Sequence, residues 1–144
     1  MPRLLVNVDV PDLEAGIRFY TRALGLTIGR RFGAAGVELL GADTPIYLLA
    51  APAGSAPFPG AAQHRDYARH WTPVHLDLAV DDLGAAVARA VDAGARVEVP
   101  AARHAWGDLA VLADPFGHGL CLLRFEGRGY DAIATGGGEA PASA

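Results

Sequence analysis

The chain has no lysine, a single cysteine, a single methionine and no long apolar run, and each shortage closes off a class of protein. All twelve basic residues are arginine, a compositional bias and not a functional signature. With Cys121 alone, no intramolecular disulfide framework can form. Met1-Pro2-Arg3 leads directly into strand-like sequence with no apolar signal segment, so a reducing cytoplasm is the expected location. No segment approaches the roughly 18 consecutive apolar residues of a membrane helix, so no membrane partner is expected. A formal charge of −4 leaves no basic face to neutralise phosphates, and nucleic acid is not expected as a partner either. What remains, at 144 residues with 51% apolar and 19% charged, is one globular domain large enough for a real core.

That domain says nearly the same thing twice. Leu5-Val6-Asn7-Val8-Asp9-Val10-Pro11-Asp12-Leu13 returns seventy positions later as His75-Leu76-Asp77-Leu78-Ala79-Val80-Asp81-Asp82-Leu83. Each copy is an alternating strand that runs into an acidic helix start. In the first, Leu4, Val6, Val8 and Val10 share an apolar face suited to packing under a helix, and Leu5, Asn7 and Asp9 share the other. Asp12 is placed to cap a helix with Leu13, Ile17, Tyr20 and Leu24 on one stripe and Gly25 at its end. Strands are expected over Thr27–Phe32, Gly36–Leu40 and Ile46–Ala50, giving a βαβββ unit.

The second copy repeats the plan. Val74, Leu76, Leu78 and Val80 form the packed strand face, and Asp82 opens a helix with Leu83, Val87, Ala90 and Val91 on its stripe and Gly94 at its end. Strands follow over Arg96–Pro100, Asp108–Ala113 and Gly119–Phe125, the last after an Asp114-Pro115-Phe116-Gly117 turn. The expected organisation is one domain over residues 1–126, with module one at 3–50, a Gly/Pro/Ala-rich linker at 51–73 and module two at 74–126. The linker holds His64, Tyr67, His70 and Trp71 and is a candidate lid. Residues 127–144, with Gly136-Gly137-Gly138, read as a flexible tail.

Val10-Pro11-Asp12-Leu13, Phe19-Tyr20 and Leu24-Gly25-Leu26 in the first unit, and His75 to Leu83, Gly94-Ala95 and Ala113-Asp114-Pro115-Phe116-Gly117-His118 in the second, resemble the vicinal oxygen chelate superfamily. That group includes glyoxalases, bleomycin-resistance proteins and extradiol dioxygenases. The Asp-Pro-Phe-Gly turn followed by Cys121-Leu122 is most similar to its metal-poor glyoxalase-like branch. The resemblance implies an α+β fold, two βαβββ modules curled into a cup-shaped mixed sheet with helices outside, and a homodimer. It also implies that a metal, where present, takes ligands from the first and last strand of each module. Those positions here are Leu5, Tyr47 or Leu49, His75 and Cys121. Only His75 is a conventional ligand there, and Leu5 supplies none; Cys121 with His75 is conceivable for zinc, but two ligands without a third would bind loosely, so neither metal nor other cofactor is expected.

The strand faces opposite the apolar ones would look into the cup. They carry the expected ligand-binding residues Asn7, Tyr47, His75, Asp77 and Cys121, with Trp106 at the mouth beside His104. His75 and Asp77, two apart on one strand, project to the same side and are the candidate acid–base pair. Asp77 needs a partner if buried, with Asn7, Tyr47 or a cationic ligand as candidates. Cys121 reads either as a nucleophile served by His75 or as an inert core residue. Glu38 and Glu98 read most simply as solvated, Glu14 as the partner of Arg18, and His118 as solvent-facing. Three functions compete. The first is a metal-independent protein that binds a small organic molecule in the cup. The second is a glyoxalase-type lyase or isomerase using His75 and Asp77. The third is an oligomeric scaffold whose vestigial cup is packed shut by side chains.

Overall fold

A computed structural model describes residues 1–137. Module one runs β1 (Val6–Val10), α1 (Leu13–Leu24), β2 (Thr27–Arg31), β3 (Gly36–Leu40) and β4 (Ile46–Ala50). Module two runs β5 (Leu76–Ala79), α2 (Leu83–Ala93), β6 (Arg96–His104), β7 (Gly107–Ala113) and β8 (Gly119–Phe125). Each module closes its own four-stranded mixed sheet, in the orders β1-β4-β3-β2 and β5-β8-β7-β6. The first strand lies parallel to the last in both, with Asn7 opposite Tyr47 and Asp77 opposite Cys121. No ladder joins β1 to β5, so the mixed sheet is divided at a central seam.

The helices form where the caps lie. Asp12 and Asp82 accept hydrogen bonds from the Ala15 and Ala85 amides, and both helices end at a left-handed glycine, Gly25 and Gly94. Gly16 lets α1 lie close on β1, since a Cβ there would stand 3.1 Å from Val10. One apolar core spans both modules, joining Val10, Ile17, Phe19, Val37 and Leu48 to Leu83, Ala90, Leu112, Leu120 and Leu122. Across it the Tyr20 hydroxyl donates to Asp114 at 2.5 Å, while the other Asp114 oxygen accepts from the Phe116 and His118 amides, each at 2.8 Å. Burial, and then the Asp114 carboxylate, holds the Tyr20 hydroxyl well above the ordinary phenol range. It therefore serves as a donor that ties α1 to module two.

Several sequence expectations shift. Leu4 precedes β1 and is 71% exposed, and only its carbonyl is held, by Thr44. Val91 is exposed, because α2 buries a narrower stripe of Leu83, Ala86 and Ala90. β6 runs past Pro100 to His104, and its register with β7 shifts between Val97 and Val99 and again between Val99 and Ala102. Glu14 pairs with Arg31 on β2, not with Arg18. The stretch 51–73 has no helix or strand, yet it is pinned: Arg65 to Asp9, Tyr67 to the Ala51 carbonyl and Arg69 to Glu98. The segment after Glu126 begins with a 3₁₀ turn over Gly129–Ala132, and Tyr130 packs edge-on to Phe125 at 4.7 Å. The part of the tail from Gly138 onward lies outside the described residues. Among the described residues, no helix is long and apolar enough to cross a membrane.

Candidate functional site

The seam between the modules is open. A cavity of about 760 Å³ lies along it, walled by β1 and β5 and floored by Tyr20 and Leu24 of α1. Asn7 and Asp9 reach it from one side and His75 from the other, within a lining that is otherwise mostly apolar. A second cavity of about 480 Å³ continues the seam and is bordered by Asp77. An apolar wall with a few polar groups is the usual composition of a small-ligand pocket.

The module-two wall carries a compact polar set. His75 and Asp77 flank Leu76, so the pleat puts them on one side, and His75 Nδ1 lies 2.8 Å from Asp77 Oδ1. Neither Asn7 nor Tyr47 is the partner of Asp77; its neighbours are His75 and Cys121. Cys121 is 3% exposed, and burial, followed by the adjacent Asp77 carboxylate, pushes its thiol up to about 11. A thiol raised in this way is a weaker nucleophile at neutral pH, which counts against the Cys121–His75 nucleophilic pairing. The Trp71 ring stands 4.7 Å from the His75 ring, and the Arg69 guanidinium lies 5.5 Å over Trp71 while pairing with Glu98. Thus the end of the linker covers this part of module two.

The module-one wall is locked instead. Glu38, with a side chain only 8% exposed, receives Arg30 on both oxygens and the Tyr47 hydroxyl at 2.8 Å. Arg30, then Tyr47, holds its carboxyl down to about 2. Glu38 is therefore not solvated, and Tyr47 is committed to it away from the seam cavity. Glu98 is likewise paired, with Arg69. His118 is half-buried, its Nε2 2.7 Å from the Asp9 carbonyl, so it ties β1 to module two and does not face solvent.

Of the six expected ligand-binding residues, Asn7 and His75 line the cavity. Asp77 and Cys121 adjoin His75, whereas Tyr47 and Trp106 lie elsewhere. Trp106 stacks on His104 at 5.2 Å and packs against Phe125 and Tyr130, at the opposite end of β8 from His75. The separation arises because β5 pairs with the start of β8 and the β6–β7 turn with its end. Arg65 and Arg69, which pin the linker, carried no signal in the sequence beyond a position in an irregular segment.

The two-module metal set implied by the superfamily does not fit. Leu5 and Leu49 have no donor, and the Tyr47 hydroxyl is held by Glu38. Module two by itself gathers one ligand atom each from His75, Asp77 and Cys121, all within 4.8 Å of one another.

Comparison with known proteins gives a consistent picture. The family described as Glyoxalase-like domain matches residues 5–123. An uncharacterised protein of Mycobacterium bovis, Mb0911c, is 48% identical over 48 residues, a match that spans 33% of this chain and 32% of that protein. Among solved structures, TioX from Micromonospora aligns over 88% of this chain and 100% of its own, with TM-score 0.68 and 16% identity. A glyoxalase/bleomycin resistance protein/dioxygenase family enzyme from Burkholderia phytofirmans aligns over 85% of this chain and 97% of its own, with TM-score 0.65 and 19% identity. At such identities the structural matches speak for the fold.

Proposed function

This chain belongs to the glyoxalase-like domain family of the vicinal oxygen chelate superfamily, and we propose that it binds a small organic molecule in the seam between its two modules without an ion shared by both. The observation that carries this reading is the cavity of about 760 Å³, apolar along its walls and polar at Asn7, Asp9 and His75. An open seam counts against a vestigial scaffold, which requires the cup to be packed shut. The Glu38–Arg30–Tyr47 lock also favours binding in the seam over binding against the module-one wall. In this reading the protein acts as a cytoplasmic homodimer, which light scattering checks against the 14.9 kDa chain.

Trp71 supplies the test, because its ring lies beside that of His75 while the other tryptophan, Trp106, is remote. In a Trp106→Phe background, Trp71 fluorescence is titrated with a panel of small planar and cationic aromatic compounds. Saturable quenching by at least one compound, lost with His75→Ala, is expected. A panel that neither quenches Trp71 nor raises the melting temperature counts against binding in the seam.

A second reading is favoured by one contact, His75 Nδ1 to Asp77 Oδ1 at 2.8 Å. A carboxylate on Nδ1 fixes the ring and leaves Nε2 to take a proton, which suits a glyoxalase-type lyase or isomerase. Here His75→Ala abolishes turnover of a 2-oxoaldehyde–thiol adduct with the fold intact, and unchanged turnover sinks the reading.

A further inference from the structure

We infer that His75, Asp77 and Cys121 form a divalent-ion site that module two builds alone, suited to a thiophilic ion such as Zn²⁺ and not to Mg²⁺ or Mn²⁺. The donors come from β5, from the residue just before it and from β8. Asp77 and Cys121 are register partners on β5 and β8, and His75 stands two residues before Asp77 on the same side. Their ligand atoms all lie within 4.8 Å of one another. In a tetrahedral zinc site with bonds of about 2.0–2.3 Å, ligand atoms sit about 3–4 Å apart, a difference within the reach of side-chain rotation. A thiolate and a carboxylate with a neutral imidazole balance a divalent charge, and the nitrogen–oxygen–sulfur set is one that zinc accepts and hard ions do not.

The surroundings fit as well. A buried cysteine is ordinarily ringed by apolar side chains, but Cys121 has its sulfur against a carboxylate. Trp71 and the Arg69–Glu98 pair lie beside the same corner, where His75 and Asp77 stay open to an ion from solvent while Cys121 is buried. The arrangement departs from the ligand set that the superfamily implies, in which both modules contribute. Asp77, two residues after His75, supplies the third donor that module one lacks. Three protein donors leave one tetrahedral position for a water or a ligand atom. The inference shares a cup face with the binding reading but does not need an organic ligand.

The test uses tag-free protein. Equilibrium dialysis against Zn²⁺ and, in parallel, Mg²⁺ gives stoichiometry, and Co²⁺ titration reads the thiolate-to-cobalt charge-transfer absorbance. One Zn²⁺ per chain, no retained Mg²⁺ and a cobalt–thiolate band are expected. The band should vanish in Cys121→Ser, and zinc affinity should fall in Asp77→Asn and His75→Ala by more than the about 10–100-fold typical of losing an outer partner. His104→Gln, at the far end of β8, should leave both readouts unchanged. Asp77→Asn keeps the shape of the site, so it decides the question if Cys121→Ser fails to fold. Substoichiometric zinc, or zinc bound with no cobalt–thiolate band and equally by Asp77→Asn, overturns the inference. The Trp71 titration on the same metal-free protein separates the two ideas. Organic ligands that bind without zinc retention leave the binding reading standing and remove only the ion site.

Discussion

Module one and module two present the same strand positions to the cup and fill them in opposite ways. The registers set the correspondence: Asn7 faces Tyr47, which faces Glu38, while Asp77 faces Cys121, which faces Val111. In module one the polar groups lie on β2, β3 and β4 and satisfy one another, because Arg30 and Tyr47 take up the carboxylate of Glu38. In module two the middle position is the apolar Val111, and the polar groups are Asp77 on β5 and His75 just before it, where His75 borders the seam cavity. One face commits its charge to its own architecture, and the other keeps donors available. Binding chemistry should therefore fail with changes in module two that leave stability alone, and stability should fail with changes that leave the His75 face chemically intact.

The largest break is expected where the linker crosses onto module two. Gly117 has φ of 89°, and a Cβ there would collide with the Tyr67 carbonyl. Gly117→Ala combines a left-handed backbone with an overpacked contact and should cost about 3 kcal/mol or more in urea unfolding. A loss below about 1 kcal/mol would show that the linker is not anchored there. Next comes the tie between modules. Tyr20→Phe removes a buried hydrogen bond to a carboxylate and should cost about 1.5–3 kcal/mol. The transition should stay single, since one core spans both halves, whereas two transitions would mean that the modules fold independently. Smaller again is a change on each face in turn. His75→Leu with Asp77→Asn should change stability by no more than about 0.5 kcal/mol, since both side chains are partly open to solvent, yet abolish the Trp71 response. Tyr47→Phe, on the locked module-one face away from the cavity, should leave that response in place. Loss of binding in both would make the asymmetry irrelevant.

The elements that were legible in the sequence are those fixed by local chemistry. Asp12, Gly25, Asp82 and Gly94 mark both helices, and alternation in β1 and β5 identifies the packed faces at Val6, Val8, Val10, Leu78 and Val80, though not at Leu4 and Val74, which are exposed. The seventy-residue echo gives the two βαβββ modules before any coordinate is known. What was illegible depends on contacts between elements distant in the chain. Glu38 looks like a solvated strand residue until β2 brings Arg30 beside it. His118 looks like a turn residue until β1 offers the Asp9 carbonyl. Trp106 looks like a mouth residue because hairpin length does not reveal which end of β8 the hairpin meets. At the site, period two was enough to pair His75 with Asp77. Counting ligands only at the four family positions passes over Asp77, which lies beside His75 and Cys121, because that count takes one residue per strand.

The mildest test addresses the locked face through pH. Arg30 and Tyr47 hold the Glu38 carboxyl near 2 in the folded chain against an ordinary value near 4.5. A depressed folded value stabilises the fold at any pH above the ordinary value, and the contribution is lost as pH falls from about 4.5 toward 2. The melting temperature of the wild type should therefore drop more steeply across that window than that of Glu38→Gln, and the two curves should approach each other at its acid end. The effect should be small, because the Arg30 side chain is 67% exposed and its charge is screened by water, and smaller still in high salt. Curves that run parallel through the window would mean that the Glu38–Arg30–Tyr47 set is held by packing and not by its charges. Module one would then owe its closed face to shape, and the contrast with module two would be one of geometry before chemistry.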